Sequence, residues 1–191
     1  LGLAPLLATD WIDRSSIVVD SKSGTSGAGR EPQMGSLFCE VDEGFKAYKI
    51  GGQHRHIPEM EQALTKLAGE PLTISFTPHL LPVSRGILST IYVNLIRPIK
   101  VEDLLDAYGK FYQNEAFVRV YPKGLSPNLL CIRGTNYCDI GLAVDTRTNR
   151  AIIVSVIDNL VKGAAGQAIQ NMNLICGLPE EAGLELVPLF P

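Results

Sequence analysis

Nothing in this 191-residue sequence concentrates positive charge. Its 17 Lys and Arg are scattered singly against 20 Asp and Glu, for a formal net charge of −3. The electrostatic footprint of a nucleic-acid binder is therefore missing. No apolar run approaches the roughly 20 residues that a bilayer-spanning helix needs, and no basic stretch leading into an apolar one marks a secretory signal. We expect neither a nucleic-acid nor a membrane partner, and a cytoplasmic setting. Cys39, Cys131, Cys138 and Cys176 form no C-x-x-C pair and have no zinc-type spacing with the histidines. Each is expected to be a small buried hydrophobe in a reducing compartment, and no metal is expected. Internal repeats and low-complexity segments are absent as well.

The apolar fraction is 46%, which suits a packed globular protein, and the length suits one domain with a substantial core. Residues 1–191 are expected to form that single domain. Leu1 to Ala8 is apolar from the first residue, with no capping residue before it, and reads as the tail of a helix that starts outside this sequence.

Ser16–Asp20 is a β-branched run that reads as a strand, followed directly by a glycine-rich loop. Glu31 to Lys49 has no clear period and is expected to be irregular with a short helical piece. Pro58 suits the first turn of a helix, with Glu59 and Glu61 complementing its dipole and Gly69 and Pro71 ending it. Leu72–Thr77 reads as a strand broken by Pro78, and Ile87–Ile96 as a longer one. Val101–Tyr112 is the clearest amphipathic helix. Phe117–Tyr121 alternates as a strand does, and Asp139–Val144 with Ala151–Ile157 suggest a hairpin. Asp158 and Asn159 are expected to cap a final helix whose Ala164, Ala165, Ala168, Ile169 and Met172 form a close-packed face. Strands that cluster in pairs predict an α+β fold, a mixed and largely antiparallel sheet with helices on one face.

Four segments could carry chemistry. Ser23-Gly24-Thr25-Ser26-Gly27-Ala28-Gly29-Arg30 could offer backbone N–H groups to an anion, or it could be a tight connection; neither the P-loop ending nor the dinucleotide G-x-G-x-x-G spacing is present. In His54-Arg55-His56-Ile57-Pro58-Glu59 an extended backbone points both imidazoles to one side. They could bind a metal, exchange a proton near neutrality, or divide between helix capping and exposure to solvent. Arg85, in a turn-rich loop, could fork onto a carboxylate or phosphate or form an ordinary ion pair. Asp158 to Gly166 starts a helix with a carboxamide and small residues, which suit either a ligand or close packing.

In this order, the segments resemble the N-acetyl-gamma-glutamyl-phosphate reductase family, related to aspartate-semialdehyde dehydrogenase. The resemblance rests on residues 23–30, His54–Glu59, Phe76-Thr77-Pro78-His79-Leu80, Arg85-Gly86-Ile87-Leu88-Ser89-Thr90, and Asp158-Asn159-Leu160-Val161-Lys162-Gly163-Ala164-Ala165-Gly166-Gln167-Ala168, and it covers nearly the whole chain. It implies a catalytic domain like the C-terminal domain of glyceraldehyde-3-phosphate dehydrogenase, joined in the family to an N-terminal dinucleotide-binding domain. The implied reaction is NADP-dependent: a cysteine takes the acyl group of an acyl phosphate as a thioester, which hydride from NADPH reduces to the semialdehyde in arginine biosynthesis.

By this resemblance His56 is the acid–base residue and His54 its polar neighbour. Ser23 and Gly24 would lie against the nicotinamide and substrate, and Asn159 would hold the nicotinamide carboxamide. Arg85, Arg30 and Tyr48 are the substrate-binding candidates. The family's oligomers imply a dimer or tetramer. The family's Asn-Pro-Gly-Cys nucleophile motif is missing here, and none of the four cysteines falls where it should be. The chain by itself is expected to be inactive. Two other readings stay open: a reductase of a related amino-acyl phosphate, such as a lysine-type aminoadipyl phosphate, and a non-catalytic binding or assembly module.

Overall fold

β-Branched residues, stiff at χ1 and suited to a pleated surface, fill the strands of one seven-stranded sheet. The computed structural model of the chain describes residues 1–29, 31 and 33–189. Its strands are β1 (Val18–Ser23), β2 (Lys46–Ala47), β3 (Ser75–Leu80), β4 (Ile87–Asn94), β5 (Val118–Val120), β6 (Cys138–Asp145) and β7 (Arg150–Ile157), in the spatial order β2-β3-β1-β4-β7-β6-β5. The β1/β3 and β5/β6 pairs are parallel and the other four antiparallel. The mixed, largely antiparallel sheet is thus the one expected.

Val19, Ile91, Ile153 and Leu142 align across β1, β4, β7 and β6, so they share a face. Against them pack Leu6 and Leu7 of α1 (Ala4–Leu7), Leu64 and Ala68 of α3 (Ile57–Ala68), and Leu104 and Tyr108 of α4 (Val101–Phe111). The Tyr108 and Tyr112 hydroxyls donate to the carbonyls of Gly2 (2.7 Å) and Leu1 (2.5 Å), pinning the start of the chain to α4. The alternate residues Thr90, Tyr92, Ile152 and Val154 point to the other face and are only half-buried, leaving the middle of this face open, although Val156 and Asp139 on the same side are fully buried.

Several local expectations are corrected. Pro78 does not break β3, which runs through it. The N–H groups of Ser75 and Leu81 bond to the carbonyls of Ile17 and Ser23, so by alternation the Pro78 nitrogen, which carries no hydrogen, faces the other way, toward a β2 strand of only two residues. A missing donor is tolerated there, and the Pro78 carbonyl accepts from the Tyr48 N–H (3.1 Å). β1 starts at Val18 and extends to Ser23, into the glycine-rich loop.

The final helix differs more. A π-helical turn, Val161–Ala165, leads into α5 (Gly166–Ile175), with the short α2 (Phe38–Val41) completing the set. Ala164, Ala165, Ala168, Ile169 and Met172 are exposed, whereas Gln170 and Asn173 are buried. The buried amides are satisfied: Asn173 Nδ2 donates to the carbonyls of Glu180 and Ala182 (3.0 Å each), and Gln170 Oε1 accepts from Asn136 and Lys162. Only Cys138 of the four cysteines is buried; Cys39, Cys131 and Cys176 lie outside the core and are exposed.

Candidate active site

The sheet brings one group of candidates together where β1 ends, β4 begins and β7 ends. Gly24 N–H donates to the Gly86 carbonyl (2.9 Å), Thr25 N–H to Val83 and Ser26 N–H to Ser84. A Cβ on Gly24 would meet the Val83 carbonyl oxygen at 2.8 Å and the Arg85 nitrogen at 2.9 Å, so only glycine permits the two loops to approach this closely. Gly86, at φ +111°, turns the chain into β4. Across this junction, Asn159 Oδ1 accepts from Gly86 N–H (2.6 Å) and its Nδ2 donates to Ser26 Oγ (2.9 Å).

Neither of the two expected caps serves as one, because the turn that opens the final helix has Leu160 at its N-cap position and no side-chain cap bond; the loops are tied instead by Asp158. Its fully buried carboxylate accepts from Leu160 N–H (2.8 Å) and Gly134 N–H (2.7 Å), and pairs with Arg85 Nη2 at 3.0 Å. Arg85 therefore already has an ion-pair partner, while its side chain stays 28% exposed. Removing either partner would leave a desolvated charge or unpaired N–H groups, which makes the pair a firm tie between the two loops.

The histidines form a second group, seated over β3. The His54 ring lies 5.2 Å from Phe76, 5.9 Å from Tyr48 and 5.1 Å from His56. Burial lowers its pKa, and the charges of His56, Lys49 and Arg55 lower it further, so His54 favours the neutral base form. Burial also raises the Tyr48 pKa. His56 occupies the N-cap position of α3 without a side-chain cap bond; it is exposed, and its Nε2 accepts from Arg55 Nε at 3.2 Å. Among the described residues, no hydrogen bond or ring contact joins His54 or His56 to the Ser23–Asn159 group. Both groups are nonetheless on the helix-bearing face, since Phe76 aligns with Val19 and Ser23 follows two positions beyond Ser21 on the same side. Arg30 lies outside the described residues.

Beside the junction runs a polar row that the sequence did not announce. Ser21 and Ser89 share a hydrogen bond (2.7 Å), and Ser155, the register partner of Ser89, approaches the Cys138 thiol at 3.4 Å. Ser89, Ser155 and Cys138 line a cavity of about 200 Å³ with Leu1, Ile87, Ile157, Lys162 and Gln167. Burial lowers the Lys162 pKa and raises that of Cys138, which suppresses its thiolate and makes it a poor nucleophile. Each of Ser21, Ser89 and Ser155 lies in a segment of its own with nothing in the sequence to link them, and only the register reveals that the three residues are neighbours.

The fold and these loops define a class. The profile of the family described as semialdehyde dehydrogenase, dimerisation domain, matches residues 1–159, and the chain belongs to that family. Among individual relatives, it is 61% identical over all 191 residues to N-acetyl-gamma-glutamyl-phosphate reductase of Geobacter sp. (strain M21), and 59% identical to that of Desulfotalea psychrophila. It covers 55% of the length of each, so the chain spans about half of the curated relatives it matches. Solved structures share the fold at 17% identity. A probable aspartate-semialdehyde dehydrogenase from Pseudomonas aeruginosa superposes with TM-score 0.71, over 91% of this chain and 58% of that one. Aspartate semialdehyde dehydrogenase II from Vibrio cholerae, complexed with ASA, gives 0.69 over 92% and 58%.

Proposed function

We propose that the chain is the catalytic and oligomerisation domain of a cytoplasmic, NADP-dependent N-acetyl-gamma-glutamyl-phosphate reductase. The observation that carries this reading is the identity to reductases of that name along the entire chain, 61% with no part left out. The loop junction fits the nicotinamide group. Asn159 uses one Nδ2 hydrogen and one Oδ1 lone pair internally, and an amide has two of each. The remaining donor and acceptor match a second carboxamide, and Ser23 and Gly24 border the same place. NADPH bound there supplies the hydride.

This chain's own residues then divide the work around an acyl phosphate. His56, exposed at the start of α3, exchanges protons with the reacting groups, and neutral His54 packs beside it on Phe76. Arg85 steadies the loop through Asp158, and its remaining exposed donors face an anionic oxygen; Arg30 and Tyr48 are further substrate contacts. The nucleophilic thiol comes from the part of the parent protein that this chain does not span. Leu1 borders the serine-lined cavity. The exposed apolar side of α5, rooted at Lys162 and Gln167 beside Leu1, would receive the cofactor domain, and the open face of the sheet a second subunit.

The test is kinetic, on the full-length parent with N-acetyl-gamma-glutamyl phosphate and NADPH. His56→Ala should lower kcat/KM by about 100-fold or more, the usual worth of a general acid–base residue. A near-native rate would remove His56 from the chemistry, and an equal rate with an aminoadipyl phosphate would reassign the substrate.

A further inference from the structure

Between β1 and α3 the chain makes a long excursion whose middle, residues 33–50, is built from short turns, α2 and the two-residue β2. It keeps its shape through local bonds: Val41 N–H to the Leu37 carbonyl (3.1 Å), and Lys46 Nζ to the Gly35 carbonyl (3.0 Å). Val41 is its one buried residue, yet it displays Met34 (76% exposed), Phe45 (60% exposed), Leu37, Phe38 and Ile50. Ordering so many residues around one buried side chain is unfavourable unless the apolar ones meet a partner. Connections this long are uncommon in compact domains without such a purpose.

The place where the excursion leaves the sheet identifies the partner. The Phe45 ring lies 5.2 Å from that of His79. His79 aligns with Lys22, and Lys22 with Leu88, a row on the open face, opposite the helices. Lys22 pairs with Asp20 (2.5 Å), and His79 Nδ1 lies 3.2 Å from the same Asp20 Oδ1, so the lysine at this border already has its counter-charge. An apolar arm thus continues the open face past the sheet edge, in a chain whose family is described as a dimerisation domain and whose matched residues, 1–159, include the arm.

We propose that residues 33–50 form an arm that docks on a second copy of this chain, extending the subunit interface beyond the sheet. The proposal rests on the open face being the subunit interface. In a two-fold assembly each copy offers the same arm to the other.

Cysteine alkylation of the 191-residue chain tests this. Cys39 lies on the arm and Cys176 just beyond α5, and both are exposed in the single chain. As concentration rises through the dimerisation range, up to about 100 μM, followed by analytical ultracentrifugation, iodoacetamide should modify Cys39 about 10-fold more slowly while Cys176 keeps its rate, the protection expected of a desolvated interface. The double variant Met34→Asp/Phe38→Asp should weaken the dimer about 10-fold or more with an unchanged circular dichroism spectrum. Val154→Arg, on the open face, tests the underlying reading separately. A dimer that Val154→Arg dissociates, but in which Cys39 reacts at the monomer rate and the double variant binds normally, overturns the arm alone. A chain that stays monomeric throughout overturns both.

Discussion

At the scale of single residues, His54 and His56 share one segment but differ in surroundings. Phe76 and Tyr48 partly shield His54, and that burial, with the nearby charges of His56, Lys49 and Arg55, disfavours its imidazolium. A histidine whose pKa falls on folding binds fewer protons folded than unfolded in the interval between the two values. Its contribution to stability is therefore whole above the ordinary value near 6.5, and shrinks as pH drops below it. We expect the His54 ring protons, followed by NMR, to titrate with a midpoint below about 6.5, and His56→Asn to move that midpoint upward. A midpoint above the ordinary value would contradict the burial assigned to it. The i, i+2 spacing showed that the two imidazoles belong together; it could not show that a phenylalanine from β3 would shield only one of them.

At the scale of elements, α5 is the instructive case. Its alanines and aliphatics suggested a packed face, yet its buried side is polar: Asn173 holds two carbonyls, and Gln170 answers Asn136 and Lys162. Asn173→Ala should destabilise the chain by about 2 kcal/mol, because two buried acceptors lose their donor. Ile175→Lys, at a side chain 85% exposed, should change urea-measured stability by less than about 0.5 kcal/mol. If Ile175→Lys proves the more damaging of the two, the assignment of the helix faces is inverted. The period of 3.6 is legible in a sequence, but which side of a helix faces inward depends on what the rest of the fold presents to it. β3 makes a similar point: a proline that ends most strands is accommodated because its missing N–H faces a two-residue edge strand.

At the scale of the whole molecule, the His54 group and the loop junction at Ser23 lie on one face of a single sheet, and the proposed function takes the thiol from the rest of the parent protein. Cys138 is held protonated by burial, and the other cysteines, Cys39, Cys131 and Cys176, are exposed, with no side-chain hydrogen bond to the loop junction among the described residues. Purified residues 1–191 should therefore show no oxidation of NADPH in the presence of the acyl phosphate, as read by absorbance at saturating substrate. Measurable turnover would mean that one of these cysteines, or no thiol at all, performs the acyl transfer.

Composition and local pattern determined the α+β class, the hairpin of β6 and β7, the limits of α3 and α4, and the loops that carry the resemblance, because those depend on neighbours in the chain and on periods of two and 3.6. Tertiary structure alone decided the rest. It set Asn159 across two loops, gave Arg85 to Asp158, lined up Ser21, Ser89 and Ser155, and left α5 and the arm with their apolar sides outward. These outcomes turn on register and on contacts between residues up to 133 positions apart, where the energy comes from pairing and burial that no local window of sequence contains.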